Sequence, residues 1–266
     1  MTPQSEIHFW HIPKTAGTSV AGLIRRAYPA EECLPAHTAR ELVALPHERI
    51  PHYRCYTGHF FSLLEPLVGR RLPTVTILRD PVAQTLSLLR HCQRYVPGAG
   101  RFAPLAAQTL SFAWEKIPPL RRRLEKAWCP VLMNNFQTRA LGSEVIAPPT
   151  LRTDFYGLTY HFLEPSFCDP NADMEVLFAR AVQRLESMAV VGTTERLPET
   201  ADRIFRLLGI PAPPAVPRDN ISPPRRGPSP DFLALIEEQN IYDRRLHRFA
   251  GELLGRTVAA SPYSRR

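Results

Sequence analysis

The sequence predicts an α/β fold with a parallel sheet, organised as one domain over residues 1–266. Two observations predict this class. Short apolar runs typical of buried strands are each followed by a loop and a stretch with helical periodicity, and a further strand lies between two helices near the middle of the chain. With 266 residues and 44% hydrophobic content, the chain is long enough to bury one substantial core.

The first strand–loop–helix unit lies at the start of the chain. The apolar run Ile7–Ile12 ends before a proline, as expected of a buried strand that leads into a loop. A helix opening at Ser19 is predicted from Val20, Leu23 and Ile24, which share one face at helical spacing. Such a context is the one that an anion-binding loop requires.

Two further strands are predicted along the chain. Residues 72–80 form an apolar strand pattern followed by a helical pattern over residues 81–96, which repeats the first unit. A third strand is predicted over residues 189–195, and strong helical patterns precede and follow it over residues 173–188 and 198–209. Consecutive units of this kind imply parallel strands.

The remaining segments differ in composition. Helical and basic sequence between the second and third strands predicts an inserted cap over about residues 95–170. Its Arg121–Arg123 run is either a solvated helix face or an attraction for an acidic acceptor. Residues 211–230 are rich in proline and predict an extended loop, and the periodic pattern over 231–255 predicts one final helix.

Charge and cysteine content narrow the function classes. The net charge of +8 favours an anionic partner, but no basic stripe with interleaved aromatics indicates nucleic acid. The five cysteines lack a C-x-x-C pair, so neither a zinc knuckle nor a disulfide framework is expected. The sequence shows neither a leader pattern nor a stretch of about 18 apolar residues, which predicts a soluble, cytoplasmic protein without a transmembrane segment.

The loop HIPKTAGTS, residues 11–19, has the residue types of an oxyanion site. Gly17 allows close backbone approach, Lys14 adds a positive charge, and Thr15, Thr18 and Ser19 offer hydroxyl donors. The triphosphate-binding motif G-x-x-x-x-G-K-[ST] places its lysine late, whereas here the lysine comes first. The alternative is a solvated lysine and a glycine that only forms a turn.

A second anion contact is predicted after the second strand. Arg79 follows the strand end, and a guanidinium there can hold a phosphate bidentately. Ser87 lies about two helical turns further on and can donate to the same phosphate. The alternatives are a salt bridge from Arg79 to Asp80 or another acid, and a bond from Ser87 to its own helix backbone. Asp80 is expected to order the turn, because its charge would repel an anion.

HIPKTAGTS together with ILRDPVAQTLSLL, residues 77–89, resembles the paired signature of sulfotransferases that use 3′-phosphoadenosine 5′-phosphosulfate (PAPS), especially those that sulfate carbohydrates. The resemblance extends over most of the chain through TGHF (57–60), NNFQTRALG (134–142), VVGTTERL (190–197) and NIYDRRL (240–246). It implies a P-loop-like three-layer sandwich around a central parallel sheet, with a helical cap on the acceptor side. The implied activity transfers the sulfuryl group to a hydroxyl of a carbohydrate or a glycosylated or lipid-like acceptor and leaves adenosine 3′,5′-bisphosphate (PAP).

The resemblance also implies roles for individual residues. Arg79 and Ser87 match the residues that hold the 3′-phosphate of the donor. Arg225 and Arg226, followed by Gly227, resemble the basic-basic-glycine loop that closes over the same phosphate, although a solvated charge pair is the alternative. The cradle for the 5′-phosphosulfate corresponds to Lys14, Thr15, Ala16, Gly17, Thr18 and Ser19.

Two catalytic residues are expected in such an enzyme. Lys14 would stabilise the bridging oxygen as the S–O bond breaks, so no metal ion is expected. His59 is the expected base, because imidazole titrates near neutrality and related enzymes carry a histidine or a carboxylate at this place. A core histidine bonded to a backbone carbonyl is the alternative for His59. His11 is a competing candidate and Glu65 a weaker one.

Several other residues have two interpretations each. Thr193 and Thr194 are expected either to line the adenine site or to pack at a strand end. Asn134, Gln137 and Arg139 are expected either to face the acceptor cleft or to brace the cap. Two other functions remain open from sequence: a P-loop nucleotide kinase, for which the glycine-lysine-hydroxyl order is missing, and a non-catalytic nucleotide-binding module.

Overall fold

The computed structural model describes residue 3 and residues 5–94, 134–144, 172–216 and 230–256. Within these ranges, four strands form one sheet in the order β2-β1-β3-β4, and every neighbouring pair is parallel. The α/β class and the parallel sheet predicted from the sequence are therefore confirmed. The strands are β1 (Ile7–Trp10), β2 (Cys55–Gly58), β3 (Thr74–Leu78) and β4 (Val190–Thr193).

Helices surround this sheet. They are α1 (Gly17–Ala27), α2 (Ala39–Val43), α3 (Leu64–Val68), α4 (Pro81–Arg94), α5 (Phe136–Gly142), α6 (Met174–Ser187), α7 (Leu197–Leu207), α8 (Pro230–Gln239) and α9 (Ile241–Gly255). None of the helices within the described ranges combines the length and apolar character needed to cross a membrane.

Alternating strand residues pack against helices on opposite faces of the sheet. Ile7 and Phe9 belong to a core cluster with α1 and α7. Trp10 and Leu78 belong to a second cluster, formed with α5, α6 and α9. A third cluster surrounds Tyr56 of β2 and includes α2 and α3. Because side chains alternate along a strand, short fully buried strands can supply both faces at once.

The sheet order positions the two predicted anion contacts side by side. β1 pairs with β3, with His8 opposite Thr74 and Trp10 opposite Thr76. Parallel neighbours end at the same edge of a sheet, so the loop after β1 and the turn after β3 leave it together. Ligand sites in open parallel sheets lie at this carboxyl edge.

Two sequence expectations differ from the structure. The strand β2 was not predicted, because its four residues, CYTG, include no Val, Ile or Leu and form no apolar run. The single helix expected over residues 231–255 is wrong: it is divided into α8 and α9 at Asn240. The Asn240 side chain donates to the Ile236 carbonyl at 2.7 Å and accepts from the Asn135 N–H at 3.0 Å, which ends one helix and redirects the chain into the next.

The predicted cap and proline-rich loop lie largely outside the described residues. Of the segment 95–170, residues 134–144 are described, and they include the buried helix α5, which belongs to the second core cluster together with α6 and α9. Of the loop 211–230, residues 217–229 lie outside the described ranges.

Candidate functional site

The loop between β1 and α1 has an unusual backbone. Lys14 and Ala16 both have positive φ, 66° and 62°, which is uncommon for residues with a side chain. Each such conformation costs on the order of 1 kcal/mol. Between them, Thr15 is fully buried and donates from its hydroxyl to the Ile12 carbonyl at 2.9 Å. The folded protein therefore holds this turn in a strained but fixed shape, and Thr15 supports the turn from inside.

The residue at the N-cap position of α1 has no polar side chain with which to cap the helix. Ala16 occupies the cap position without a side-chain hydrogen bond, and the first turn contains no acidic residue. Backbone N–H groups at the start of a helix and the partial positive charge there both favour an anion. Lys14 precedes this turn and is half-buried. The arrangement suits an oxyanion between the helix start and the lysine.

Glycine is required at position 17 because the His11 side chain lies beside it, and not because of the backbone conformation there. A Cβ at this position would lie 2.0 Å from Cδ2 of the His11 ring, so the imidazole packs directly against the start of α1. Thr18 is exposed and Ser19 is buried on the same turn. His11 thus fixes the distance between the end of β1 and the first turn of α1.

Arg79 joins the second anion contact to the first. It follows β3, and its Nη1 donates to the carbonyl oxygen of Lys14 at 3.1 Å. Gln84 of α4 adds a second tie, because its Nε2 donates to the Pro13 carbonyl at 3.2 Å. Ser87 lies three residues beyond Gln84 on the same face of α4 and is half-buried. The structure therefore brings Lys14, Arg79 and this face of α4 together.

The turn after β3 is held by side chains from later in the chain. Gln137 accepts from the Arg79 N–H and donates to the Arg79 carbonyl, both at 2.9 Å. Thr194 donates to the Leu78 carbonyl at 3.2 Å. Asp80 accepts from the Ala83 N–H at 2.9 Å, so it caps α4 and orders the turn, as expected.

Glu195, in the short helical turn after β4, supports the same turn. It accepts from the Asp80 N–H at 3.0 Å and pairs with Nε2 of His247 at 2.9 Å. Burial alone would raise the pKa of Glu195, but the hydrogen bonds from His247 and from the Asp80 N–H outweigh it and lower the pKa. The carboxylate is therefore ionised at neutral pH, and it links α9 to the turn that carries Arg79.

The two histidines proposed from the sequence are in contact. Nδ1 of His59 lies 2.6 Å from the His11 carbonyl oxygen, and the two ring centroids are 4.2 Å apart. A carbonyl only accepts, so Nδ1 of His59 carries the proton and, in the neutral ring, Nε2 is the acceptor. Burial, and after it the charges of His59, Lys14 and His37, hold the pKa of His11 well below its ordinary value. Neutral His11 packs under the loop, while His59 has the tautomer that a base requires.

Two facing helix starts form a separate, internally capped region. Asp243 of α9 is fully buried and accepts from the N–H groups of Gln137 and Thr138 at 3.0 and 2.7 Å and from the Thr138 hydroxyl at 2.7 Å. Asn135, before α5, accepts from the N–H groups of Tyr242 and Asp243 at 2.8 and 3.1 Å. Burial raises the pKa of Asp243, and these donors oppose that rise. Each helix thus supplies the cap of the other.

The other sequence candidates are distributed around this site. Thr193 is buried at the end of β4, and Thr194 has the strand-end role described above. Asn134 donates to Gln239 at 3.2 Å, and Arg139 is buried and donates to the Asn134 carbonyl at 2.9 Å, so both brace the α5 segment. Glu65 is exposed on α3. Four candidate positions or runs lie outside the described residues: Arg121–Arg123, Arg225, Arg226 and Gly227.

Three supporting residues were not identified from the sequence. They are Gln84, Glu195 and Asp243. Each forms hydrogen bonds with backbone groups that are distant in sequence, and no spacing pattern predicts such bonds. One signal was present for Gln84: a polar residue occurs on the face of α4 that includes the apolar Leu88. Buried polar side chains are normally hydrogen-bonded, so a position of this kind points to a specific partner.

No group of three or more His, Cys, Asp or Glu side chains in the ranges that the structure describes is placed to hold a metal ion.

Neither the scan against protein-family models nor the search of curated proteins finds a match for this sequence.

Proposed function

We propose that the protein transfers the sulfuryl group of PAPS to a hydroxyl of a carbohydrate or a glycosylated or lipid-like acceptor. One observation carries the proposal: the start of α1, which has an alanine at its N-cap position and no acid in its first turn, follows Lys14, and Arg79 is tied to this loop by the 3.1 Å bond to the Lys14 carbonyl. Two cationic side chains at neighbouring strand ends suit a ligand with two anionic ends, and the motif resemblance supplies the identity of that ligand.

The donor would span the two contacts. Its 5′-phosphosulfate would accept from the first-turn N–H groups of α1 and from Lys14. Its 3′-phosphate would lie against Arg79 and Ser87. A guanidinium has five N–H donors, so the bond to the Lys14 carbonyl is compatible with a bidentate hold on phosphate. The net charge of +8 favours a ligand of this charge. From the same motif resemblance, we propose that the fold is a P-loop-like sandwich. The segment 95–170 would contribute to the acceptor side.

The reaction would be an in-line displacement at sulfur. The acceptor oxygen forms a bond to sulfur while the S–O bond to the 5′-phosphate breaks, and PAP leaves with the electron pair of that bond. The Lys14 ammonium would stabilise the negative charge that develops on the leaving oxygen. The strained turn at Lys14 and Ala16 supports this role, because a fixed backbone holds the ammonium in place without reorganisation.

His59 would accept the proton of the acceptor hydroxyl. Its Nδ1 is committed to the His11 carbonyl, so Nε2 is the basic nitrogen of the neutral ring. A His59→Gln variant is expected to lower kcat by about a hundredfold, because general base catalysis contributes on this order. The affinity for PAP, measured by titration calorimetry, is expected to stay unchanged. An unchanged kcat would remove His59 from the mechanism.

Thermal unfolding with added nucleotides tests the proposal. PAP without metal is expected to raise the melting temperature with the logarithm of its concentration, and to do so more than ATP with Mg²⁺. A magnesium-dependent preference for ATP would favour a kinase. Stabilisation by PAP without transfer of labelled sulfuryl from PAPS to any hydroxyl acceptor would leave a nucleotide-binding module instead of an enzyme.

A further inference from the structure

We infer that Gln137 is a positioning residue that holds the backbone of Arg79 so that its guanidinium is ready for the 3′-phosphate. The inference rests on the proposed function, because it concerns the same nucleotide. It adds a residue that touches neither the donor nor the acceptor. Three steps lead to it: the two bonds at Arg79, the way in which Gln137 itself is held, and the chemistry that an amide alone provides.

The two bonds between Gln137 and Arg79 close a small ring. The Arg79 N–H donates to Oε1 and the Arg79 carbonyl accepts from Nε2, both at 2.9 Å. Arg79 follows the last residue of β3 and lies beyond the hydrogen-bonded ladder of the sheet. The ladder therefore does not fix its backbone. The amide of Gln137 replaces the neighbouring strand and holds both backbone groups of the one residue that carries the guanidinium.

Gln137 is itself rigidly placed. It is fully buried in the first turn of α5, and its own N–H donates to Asp243 at 3.0 Å. Asp243 belongs to α9, which packs against β4 in the second core cluster. The Arg79 side chain continues the connection, because it donates to the Lys14 carbonyl. A continuous path of hydrogen bonds therefore runs from α9 through Gln137 and Arg79 to the strained turn.

Only a primary amide of this length satisfies both backbone groups at once. A glutamate accepts from the Arg79 N–H but, when ionised, has no donor for the carbonyl. A methionine fills the same space and offers neither group. An Arg79 that is held before the nucleotide arrives loses less conformational freedom on binding, which raises affinity without a new contact.

Comparison of two nucleotides isolates this role. PAP and adenosine 5′-monophosphate differ by the 3′-phosphate, so the ratio of their dissociation constants reports the hold on that group. In Gln137→Met the dissociation constant of PAP is expected to rise by about tenfold, the equivalent of about one net hydrogen bond. The constant for the monophosphate is expected to stay unchanged, because its phosphate binds at α1. Gln137→Glu, which keeps one of the two bonds, is expected to lie between methionine and the wild type.

A matched control and a double variant decide the outcome. The control is Thr138→Val, at the position next to Gln137. Valine keeps the shape of the threonine side chain and removes its hydrogen bond to Asp243. This variant is expected to lower stability and to leave both dissociation constants unchanged. In an Arg79→Ala background, Gln137→Met is expected to have no further effect on PAP. Equal loss for both nucleotides, or no loss in folded Gln137→Met and Gln137→Glu, would overturn the inference. A wild-type protein that does not distinguish the two nucleotides would instead overturn the proposed function.

Discussion

The start of α1 and the facing starts of α5 and α9 are all helix N-termini, but the two regions differ in the groups that lie against their backbone N–H groups. At α5 and α9, Asp243 and Asn135 accept from backbone N–H groups at 2.7–3.1 Å, and both side chains are buried. At α1 the N-cap residue is Ala16, which has no polar side chain, no acid is present in the first turn, and a lysine in a strained conformation precedes it. The facing starts of α5 and α9 contribute to stability, whereas under the proposed function the start of α1 binds an anion.

The contrast separates a cap that the protein supplies from one that the proposed function assigns to a ligand. Asp243 accepts three hydrogen bonds at the helix starts, so these donors already have an acceptor within the fold. The α1 region has the positive groups and lacks the negative one among its first-turn residues. Substitutions in the two regions should therefore divide between unfolding free energy on one side and nucleotide chemistry on the other.

The largest effect is expected at Lys14. Lys14→Met keeps most of the side-chain length and removes the charge, so it should lower kcat by about a hundredfold to a thousandfold through loss of leaving-group stabilisation. The free energy of unfolding should change little, because the side chain is only half-buried. Steady-state kinetics with labelled PAPS and chemical denaturation measure the two quantities. A stability loss without a fall in kcat would place this lysine among the structural residues.

Asp243 should show the reverse behaviour. Asp243→Ala leaves two buried backbone N–H groups and one hydroxyl without their acceptor, and the expected loss is about 3 kcal/mol or more in the free energy of unfolding. Urea denaturation followed by circular dichroism measures it. Thr138→Val, which removes one of these bonds, should cost about 1 kcal/mol. Equal stability of wild type and Asp243→Ala would contradict the reciprocal caps.

Gly17 tests how tightly the α1 start is built. A Cβ would lie 2.0 Å from the His11 ring, so Gly17→Ala must displace a buried imidazole. The expected cost is about 2 kcal/mol, within the range for overpacked cores, together with weaker binding of PAP as the first turn shifts. Denaturation and calorimetry provide the two values. Gly22→Ala on the same helix is the control, because a Cβ there meets nothing within 4 Å.

The smallest effect is expected at Ala16. Ala16→Gly removes the strain of a side chain at φ 62°, and a gain of about 1 kcal/mol or less is expected because glycine also loses more entropy on folding. Differential scanning calorimetry detects a change of this size. A loss of stability would show that the backbone at residue 16 is not strained in the folded protein.

Local sequence patterns predicted much of the fold. β1, β3 and β4 carry apolar runs, and α1, α4, α6 and α7 follow or precede them with clear periodicity, so class and parallel order could be deduced. β2 was missed because its sequence, CYTG, contains no Val, Ile or Leu. The break between α8 and α9 was missed because the apolar pattern continues across Asn240, whereas the cause of the break is the bond to Asn135, which is distant in sequence.

The residue types at the candidate site could be predicted from the sequence, but the residues that hold them in place could not. Lys14 and Arg79 carry charged groups next to predicted strand ends, and His59 carries a titratable ring within the motif TGHF, so the sequence alone indicated a role for each. Gln137 was expected at an acceptor cleft or in a cap, and instead it bonds to the backbone of Arg79. Side-chain bonds to backbone at strand ends depend on which segments meet in space, and the sequence carries no periodic signal for them.

A crystal structure of the protein with PAP tests the central claim most directly. The 5′-phosphate is expected within hydrogen-bonding distance of the first-turn N–H groups of α1 and near Lys14, with the 3′-phosphate against the Arg79 guanidinium. The nucleotide bound elsewhere, or bound with only one phosphate at these two strand ends, would contradict the claim.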